Sequence, residues 1–325
     1  MSALLEIVDA GPQTTVQDYP GRLGRLADGV SQAGPMDHVA LRAANTLAGN
    51  DAGAAALEVT LGGLRVRFPD ARTIAVCGAV APVTLDGEEL PLWHGVAVEA
   101  GQELRIRMSK GPGFRLYLAV SGGIDVPPVF GSRSTHTLAA LGGLDGRALR
   151  KGDRVPLGAD ARPIPPGRRL RVPDYVRAWE VEVMLGPQAA PDFLTAGDVE
   201  RLTARAWNVD AASNRTGLRL EPFGFEWARS GGGIAGGHPS NVLDDGYPPG
   251  GVNMNGDTAV ILGPDGPTSG GFVVVATVVH GALWKLGQVR PGADTIRFVP
   301  VTIEQAVALA REVDGWVAPE AVSGG

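Results

Sequence analysis

Cysteine is almost absent. The single Cys77 rules out an internal disulfide, and its apolar setting, Thr73-Ile-Ala-Val-Cys77-Gly78, suits a small core residue better than a reactive thiol. Lysine is scarce too: only Lys110, Lys151 and Lys285 occur, and arginine supplies the other positive charges. The formal net charge is −6, so no basic surface argues for nucleic acid or an anionic membrane as partner. No apolar run approaches the ~20 residues that cross a bilayer. The first residues also lack a basic region followed by an apolar run and cleavage site, so a cytoplasmic location is expected.

Several catalytic signatures are missing as well. There is no Gly-x4-Gly-Lys-Ser/Thr phosphate loop, no strand-linked Gly-x-Gly-x-x-Gly, and no Gly-x-Ser-x-Gly elbow. The histidines at 38, 94, 136, 238 and 280 are isolated from one another, which disfavours a preformed zinc site. No Met-Lys-Met occurs, so this chain does not itself carry biotin on the usual lysine.

Glycine and proline, 47 and 25 residues, are spread along the chain and separate short apolar runs. Leu64–Phe68, Thr73–Cys77, Val96–Val98, Leu104–Met108 and Phe114–Val120 read as strands. So do Trp179–Met184, Leu218–Leu220, Ala259–Leu262, Phe272–Val279 and Thr295–Phe298. Many short strands with turns between them predict a mainly β sandwich or barrel. Helices are few: Met36 to Leu47 capped by Asp37, Thr302 to Val313 capped by Thr302, and a weaker one within Asp192 to Arg205.

A faint echo divides the chain. Leu5-Glu-Ile-Val-Asp-Ala-Gly11-Pro-Gln13 resembles Val181-Glu-Val-Met-Leu-Gly186-Pro-Gln188, and both halves close on a similar turn and strand. A duplicated β unit follows, with 1–165 as the first subdomain and 166–325 as the second, the latter with a C-terminal helix. The proline-rich Asp160–Gly167 is the natural linker.

Amide, hydroxyl and carboxylate groups on loops carry whatever chemistry there is. In the first half, Gly11–Arg22 and the cluster Ser132, Arg133, Ser134, Thr135 and His136 are either binding loops or self-satisfied turns. The second half is denser. Arg215, in Ser213-Asn-Arg-Thr-Gly217, can bind a carboxylate. His238-Pro-Ser240-Asn241 enters on extended backbone and leads to Asp244 and Asp245. Asn253, Asn255 and Asp257 alternate and can line one face of a strand, a surface suited to a small polar ligand. Asp265 sits in the turn Gly263-Pro-Asp-Gly-Pro267. Lys285 follows Trp284 and is either a cation packed on an aromatic ring or a catalytic group.

Three stretches together resemble a known family. They are Gly11–Arg22; Ser31-x-x-Gly-Pro-Met-Asp37 with Ala44-Asn45 and Leu47-x-Gly-Asn50; and Ser213-Asn-Arg-x-Gly217 through Arg290-Pro-Gly292. The chain is similar to the carboxyltransferase subdomain A and B family. That family includes the second subunit of allophanate hydrolase, the C-type component of 5-oxoprolinase (the KipA group) and the carboxyltransferase domain of urea carboxylase. His238-Pro-Ser-Asn241 and Leu283-Trp-Lys-x-Gly-Gln288 look closest to the urea carboxylase form. Pro267-Thr-Ser-Gly-Gly-Phe272 departs from the 5-oxoprolinase form.

The resemblance implies two cyclophilin-like β-barrel subdomains. It also implies partners: a companion allophanate hydrolase subunit 1-like (KipI-like) protein, a biotin carboxylase and a biotin carrier. Biotin would then be held on a separate protein, and ATP used elsewhere in the complex. The implied reaction is transfer of CO2 from carboxybiotin to a nitrogen of urea or a guanidine-like molecule. Lys285, Asp257 and Asp265 are then the candidate catalytic residues. His238, Ser240, Asn241, Asp244, Asp245, Asn253, Asn255 and Arg215 are the candidate substrate-binding residues. The C-type component of an ATP-dependent 5-oxoprolinase and a non-enzymatic KipA-like regulator are the alternatives.

Overall fold

The structure is a computed structural model that describes residues 3–159 and 167–324. The proposed linker, and with it a boundary at 165/166, therefore falls almost wholly outside the described residues. The chain divides into two compact units. Residues 1–23, 33–175 and 313–325 form the first, and residues 24–32 and 176–312 the second. A single cut at 165/166 would thus separate three segments, 24–32, 166–175 and 313–325, from the unit each belongs to. The chain is mainly β with few helices, as its short alternating runs require.

In the first unit a six-stranded sheet runs in the order Arg154–Pro156, Leu4–Ala10, Leu64–Arg67, Glu103–Ile106, Val83–Leu85, Glu88–Glu89. A five-stranded sheet runs Gln13–Gln17, Ala56–Thr60, Arg115–Val120, Arg72–Gly78, Gly95–Val98. Alternation decides which faces meet. Leu5, Ile7, Leu64, Val66, Leu104 and Ile106 from one sheet pack in one core with Leu57, Val59, Ile74, Val76, Leu116 and Leu118 from the other. Strand Arg115–Val120 is buried along its whole length, because helix His38–Ala48 covers the opposite face of its sheet. Asp37 caps that helix through Ala40 N. Cys77 lies in the sheet, fully buried, and desolvation pushes its thiol up, which removes the reactive reading. The two polar clusters of the first half satisfy each other: Asp18 accepts hydrogen bonds from Ser132 Oγ at 2.5 Å, Ser134 Oγ at 2.5 Å and Arg133 N at 2.6 Å. Asp18, just past strand Gln13–Gln17, and the 132–134 segment are thus locked to each other by their own polar groups.

In the second unit a seven-stranded sheet runs Trp207–Asn208, Thr295–Pro300, Ala178–Leu185, Val274–Val278, Gly251–Asn255, Thr258–Leu262, Gly217–Arg219. Ala178–Leu185 and Thr295–Pro300 pair in parallel. A two-stranded arm pairs Asn241–Gly246 with Ser269–Phe272. The apolar run Phe272–Val279 is therefore not one strand. It changes partner at Val273, whose N–H donates to Ser240 O at 3.0 Å. A run apolar throughout does not reveal where pairing switches. The weak helix within 192–205 is Ala196–Ala204, closed by a capping box from Thr195 and Asp198. Each sheet keeps two edge strands, and no pairing among the described residues closes one into a barrel.

Candidate functional site

A cavity of about 430 Å³ lies in the second unit, where strand alternation brings polar groups to one face. On Gly251–Asn255, Val252 and Met254 enter the core while Asn253 and Asn255 line the cavity. On Thr258–Leu262, Ala259 and Ile261 go inward while Val260 and Leu262 form an apolar wall. On Gly217–Arg219, Leu218 is buried and Arg219 faces the cavity. The arm closes another side through Ser269 to Phe272.

Glycine is required at Gly270. A Cβ there would lie 2.7 Å from Tyr247 Cε2, so only glycine lets that ring rest on the arm. The Tyr247 hydroxyl accepts from Phe272 N at 2.8 Å and donates to Phe272 O at 3.1 Å. Asn253 Nδ2 donates to the same carbonyl at 3.2 Å. Burial raises the Tyr247 pKa, so the phenol stays protonated at neutral pH. Tyr247 and Asn253 thus hold the wall. Asn255 and Arg219 do not: among the described residues their side chains have no hydrogen-bond or ion-pair partner, and both are exposed. An amide that both donates and accepts and a guanidinium, lining one cavity, can bind a small molecule bearing N–H groups and a carboxylate-like oxygen.

The structure brings only Asn253 and Asn255 of the predicted set to this cavity. Asp257 is not on their face. Asn255 pairs with Thr258, so Gly256 and Asp257 are the two turn residues of a hairpin, with Gly256 at φ 63°. The alternation that suggested three residues in a row ends at that turn. Asp257 Oδ1 instead accepts from Trp227 Nε1 at 3.2 Å and lies 3.9 Å from His238 Nε2.

His238, Ser240 and Asn241 form a closed local network. Asn241 Oδ1 accepts from His238 N at 3.0 Å, and Ser240 N donates to His238 Nδ1 at 3.1 Å. That makes Nδ1 an acceptor and places the ring proton on Nε2, toward Asp257. Ser240 Oγ lies 2.9 Å from Nδ1 and accepts from Gly256 N at 3.2 Å. Ser240 is fully buried, so this Ser-His-Asp sequence of contacts offers no nucleophile to a substrate.

The remaining predicted residues also lie elsewhere. Arg215 and Asp265 form a buried bidentate pair, Nε–Oδ2 and Nη2–Oδ1 both 2.7 Å. Asp265 N donates to Arg215 O and Gly263 N to Thr216 O, so the two turns stand back to back behind the cavity lip formed by Thr216 and Pro267. Lys285 Nζ is held by Glu182, at 2.9 and 2.6 Å, and by Glu180 O at 2.9 Å. Trp284 meets Trp179 edge to face at 6.0 Å between ring centroids, while the contacts of the Lys285 ammonium are to Glu182 and Glu180. The Asp244 and Asp245 carboxylates accept from the N–H of the next residue, on the outer strand of the arm. Among the described residues no cluster of His, Cys, Asp and Glu is arranged to hold a metal, and no helix is long and apolar enough to cross a membrane.

Sequence reasoning missed Arg219 and Tyr247. Arg219 had a signal: it alternates with Leu218 and Leu220 and so had to face away from the core. Tyr247 had none, since only the glycine beneath its ring explains it.

Residues 28–300 match the model of the carboxyltransferase domain, subdomain A and B. The chain belongs to this family. It is 41% identical over 319 residues to urea amidolyase of Saccharomyces cerevisiae, covering 95% of this chain but 17% of that protein. It is 36% identical to the C-type component of 5-oxoprolinase from Escherichia coli, covering 94% of this chain and 93% of that protein. The crystal structure of Kluyveromyces lactis urea amidolyase superposes with a TM-score of 0.93 at 37% identity, over 97% of this chain and 20% of that one. The chain thus spans about a fifth of the length of the urea amidolyases it matches.

Proposed function

We propose that the chain is the carboxyltransferase part of a biotin-dependent carboxylase, and that it presents a small urea- or guanidine-like acceptor for N-carboxylation. The observation that carries the reading is the cavity. Among its unengaged groups are the Asn255 amide, the Ser269 hydroxyl and the Arg219 guanidinium, and no carboxylate is among its lining residues, which suits a neutral urea-like acceptor better than a cationic one. The 41% identity to a urea amidolyase supports the same class of acceptor.

Asn255 Oδ1 accepts an N–H of the acceptor and orients the nitrogen. Asn255 Nδ2 and Arg219 would donate to the carboxyl oxygens, where negative charge gathers as the acceptor nitrogen bonds to the carbon; the bond broken is that between the carbon and the biotin ureido nitrogen, and the proton lost by the acceptor would pass to that freed nitrogen. Val260 and Leu262 keep that side of the site dry, which strengthens both interactions. Tyr247 and Asn253 hold the wall, and the Arg215–Asp265 pair holds the lip. Biotin fits this donor set, since its ureido oxygen needs hydrogen-bond donors such as Arg219, Asn255 and Ser269. Carried on a separate protein, it would supply activated CO2. Asp265, paired with Arg215, has a positioning role in this account, and Lys285, paired with Glu182, a structural one.

A second reading, the C-type component of an ATP-dependent 5-oxoprolinase, is favoured by one observation: the match spans 93% of the E. coli protein. ATP would then bind to a companion protein.

The test is to purify the chain with its cellular partners and assay two reactions. Carboxylation of urea or guanidine that depends on bicarbonate, ATP and a biotinylated partner supports the proposal. Ring opening of 5-oxoproline without a biotinylated partner supports the second reading and overturns the first.

A further inference from the structure

The outer face of the six-stranded sheet in the first unit is charged in an uneven way. Its inward residues Leu64, Val66, Leu104 and Ile106 fill the core, so Arg65, Arg67, Glu103 and Arg105 point outward. Arg65 and Arg105 stand directly opposite each other across the strand pair. Like charges in that register destabilise a sheet. Glu103 relieves one side only: it accepts from Arg65 Nη2 at 2.6 Å and Arg67 Nη2 at 3.1 Å, and Glu6 takes Arg67 Nη1 at 3.0 Å. Arg105 and Arg107 are exposed, and among the described residues neither side chain has an ion-pair or hydrogen-bond partner. Two concavities of about 890 and 470 Å³ share these two arginines. Apolar groups lie alongside in the larger one, with Val80 51% and Met108 42% exposed. All this occurs on a chain whose net charge is −6.

We propose that this face docks an acidic, partly apolar segment of a partner polypeptide, bound in extended form. Arg105 and Arg107 are two residues apart, about 6 to 7 Å along extended chain, the spacing at which alternate residues of a docked strand repeat. Acidic side chains at that repeat meet both arginines, and an apolar side chain at the next alternate position, on the same face of the segment, reaches Val80 and Met108. The two guanidinium groups share no acceptor and are not buried, unlike a pocket built for one phosphate. This inference stands apart from the reaction proposed for the second unit.

The probe is a short labelled peptide with Glu, Glu and Leu at successive alternate positions and Ser between them, titrated by fluorescence anisotropy into the full chain. Its controls are the same peptide with Gln for Glu and with Lys for Glu. The Glu peptide binds, and its affinity falls with added salt. The pair Arg105→Glu with Arg107→Glu weakens it at least about tenfold, mainly through slower association. Arg105→Gln with Arg107→Gln weakens it less, and this milder pair carries the test if the charge reversal fails to fold. Equal binding of the Glu and Gln peptides, or unchanged binding to the Gln pair, overturns the proposal. Displacement of the peptide by inorganic phosphate at matched ionic strength also overturns it and makes the face a small-anion site.

Discussion

Two regions of the second unit hold the same kinds of polar side chain and use them in opposite ways. Around the cavity, the side chains of Asn255 and Arg219 are exposed and have no hydrogen-bond or ion-pair partner among the described residues. Beside it, Arg215, Asp265, His238, Ser240 and Lys285 are each engaged by a neighbour within the unit. The contrast teaches that polar density in a loop-rich β protein measures two things at once. Turns need side-chain acceptors and donors to satisfy their own backbone. A site needs groups that are left over.

That contrast can be broken first where engagement is strongest. Asp265→Ala strands a buried guanidinium, and a loss of about 3 to 5 kcal/mol of stability is expected from urea unfolding. Replacing Arg215 and Asp265 together with Met and Leu should cost much less, because no charge is then left unpaired. A loss as large in the double replacement would mean that the pair does more than hold the two turns.

Asp198 is the next test. Burial pushes its carboxyl up, but hydrogen bonds from Glu226 N, Thr195 and Arg201 outweigh this and hold it at about 2, against 3.8 for a free carboxyl. Its folded-state value is depressed. Its contribution is therefore complete above about pH 4 and is lost as pH falls through about 2. Asp198→Asn should cost roughly 2 kcal/mol at neutral pH and flatten the acid limb of stability between those values. An unchanged acid limb would remove Asp198 from that role.

Lys285→Ala separates structure from chemistry at one residue. Its partly buried pair with Glu182 contributes on the order of 1 kcal/mol. The transfer rate of the assembled complex should stay within about twofold of the parent chain. A large loss of rate with little loss of stability would restore Lys285 to the catalytic set.

The fold was largely legible. Leu64 to Phe68 and Leu104 to Met108 alternate strictly, and Asp37 marked its helix as a cap should. Less legible was anything set by partner choice. The switch at Val273 lies inside an unbroken apolar run, and the closed barrels implied by family resemblance correspond to no strand pairing among the described residues. The site was half legible. Asn253 and Asn255 follow from period-two alternation, which correctly puts them on one face. Asp257 was lost because alternation does not announce the turn at Gly256. Arg215 and Asp265, 50 residues apart, look like ligand groups in sequence. Only their contact shows that each is the other's partner.

The most direct measurement concerns the groups left over. Asn255→Ala and Arg219→Ala remove exposed side chains without partners, so stability should change by no more than about 0.5 kcal/mol. Carboxylation of urea by the purified complex should nonetheless fall roughly 100-fold or more for each variant, as expected when a donor to developing charge is removed. Full activity in both variants, with unchanged stability, would contradict the account and move the reaction out of this cavity.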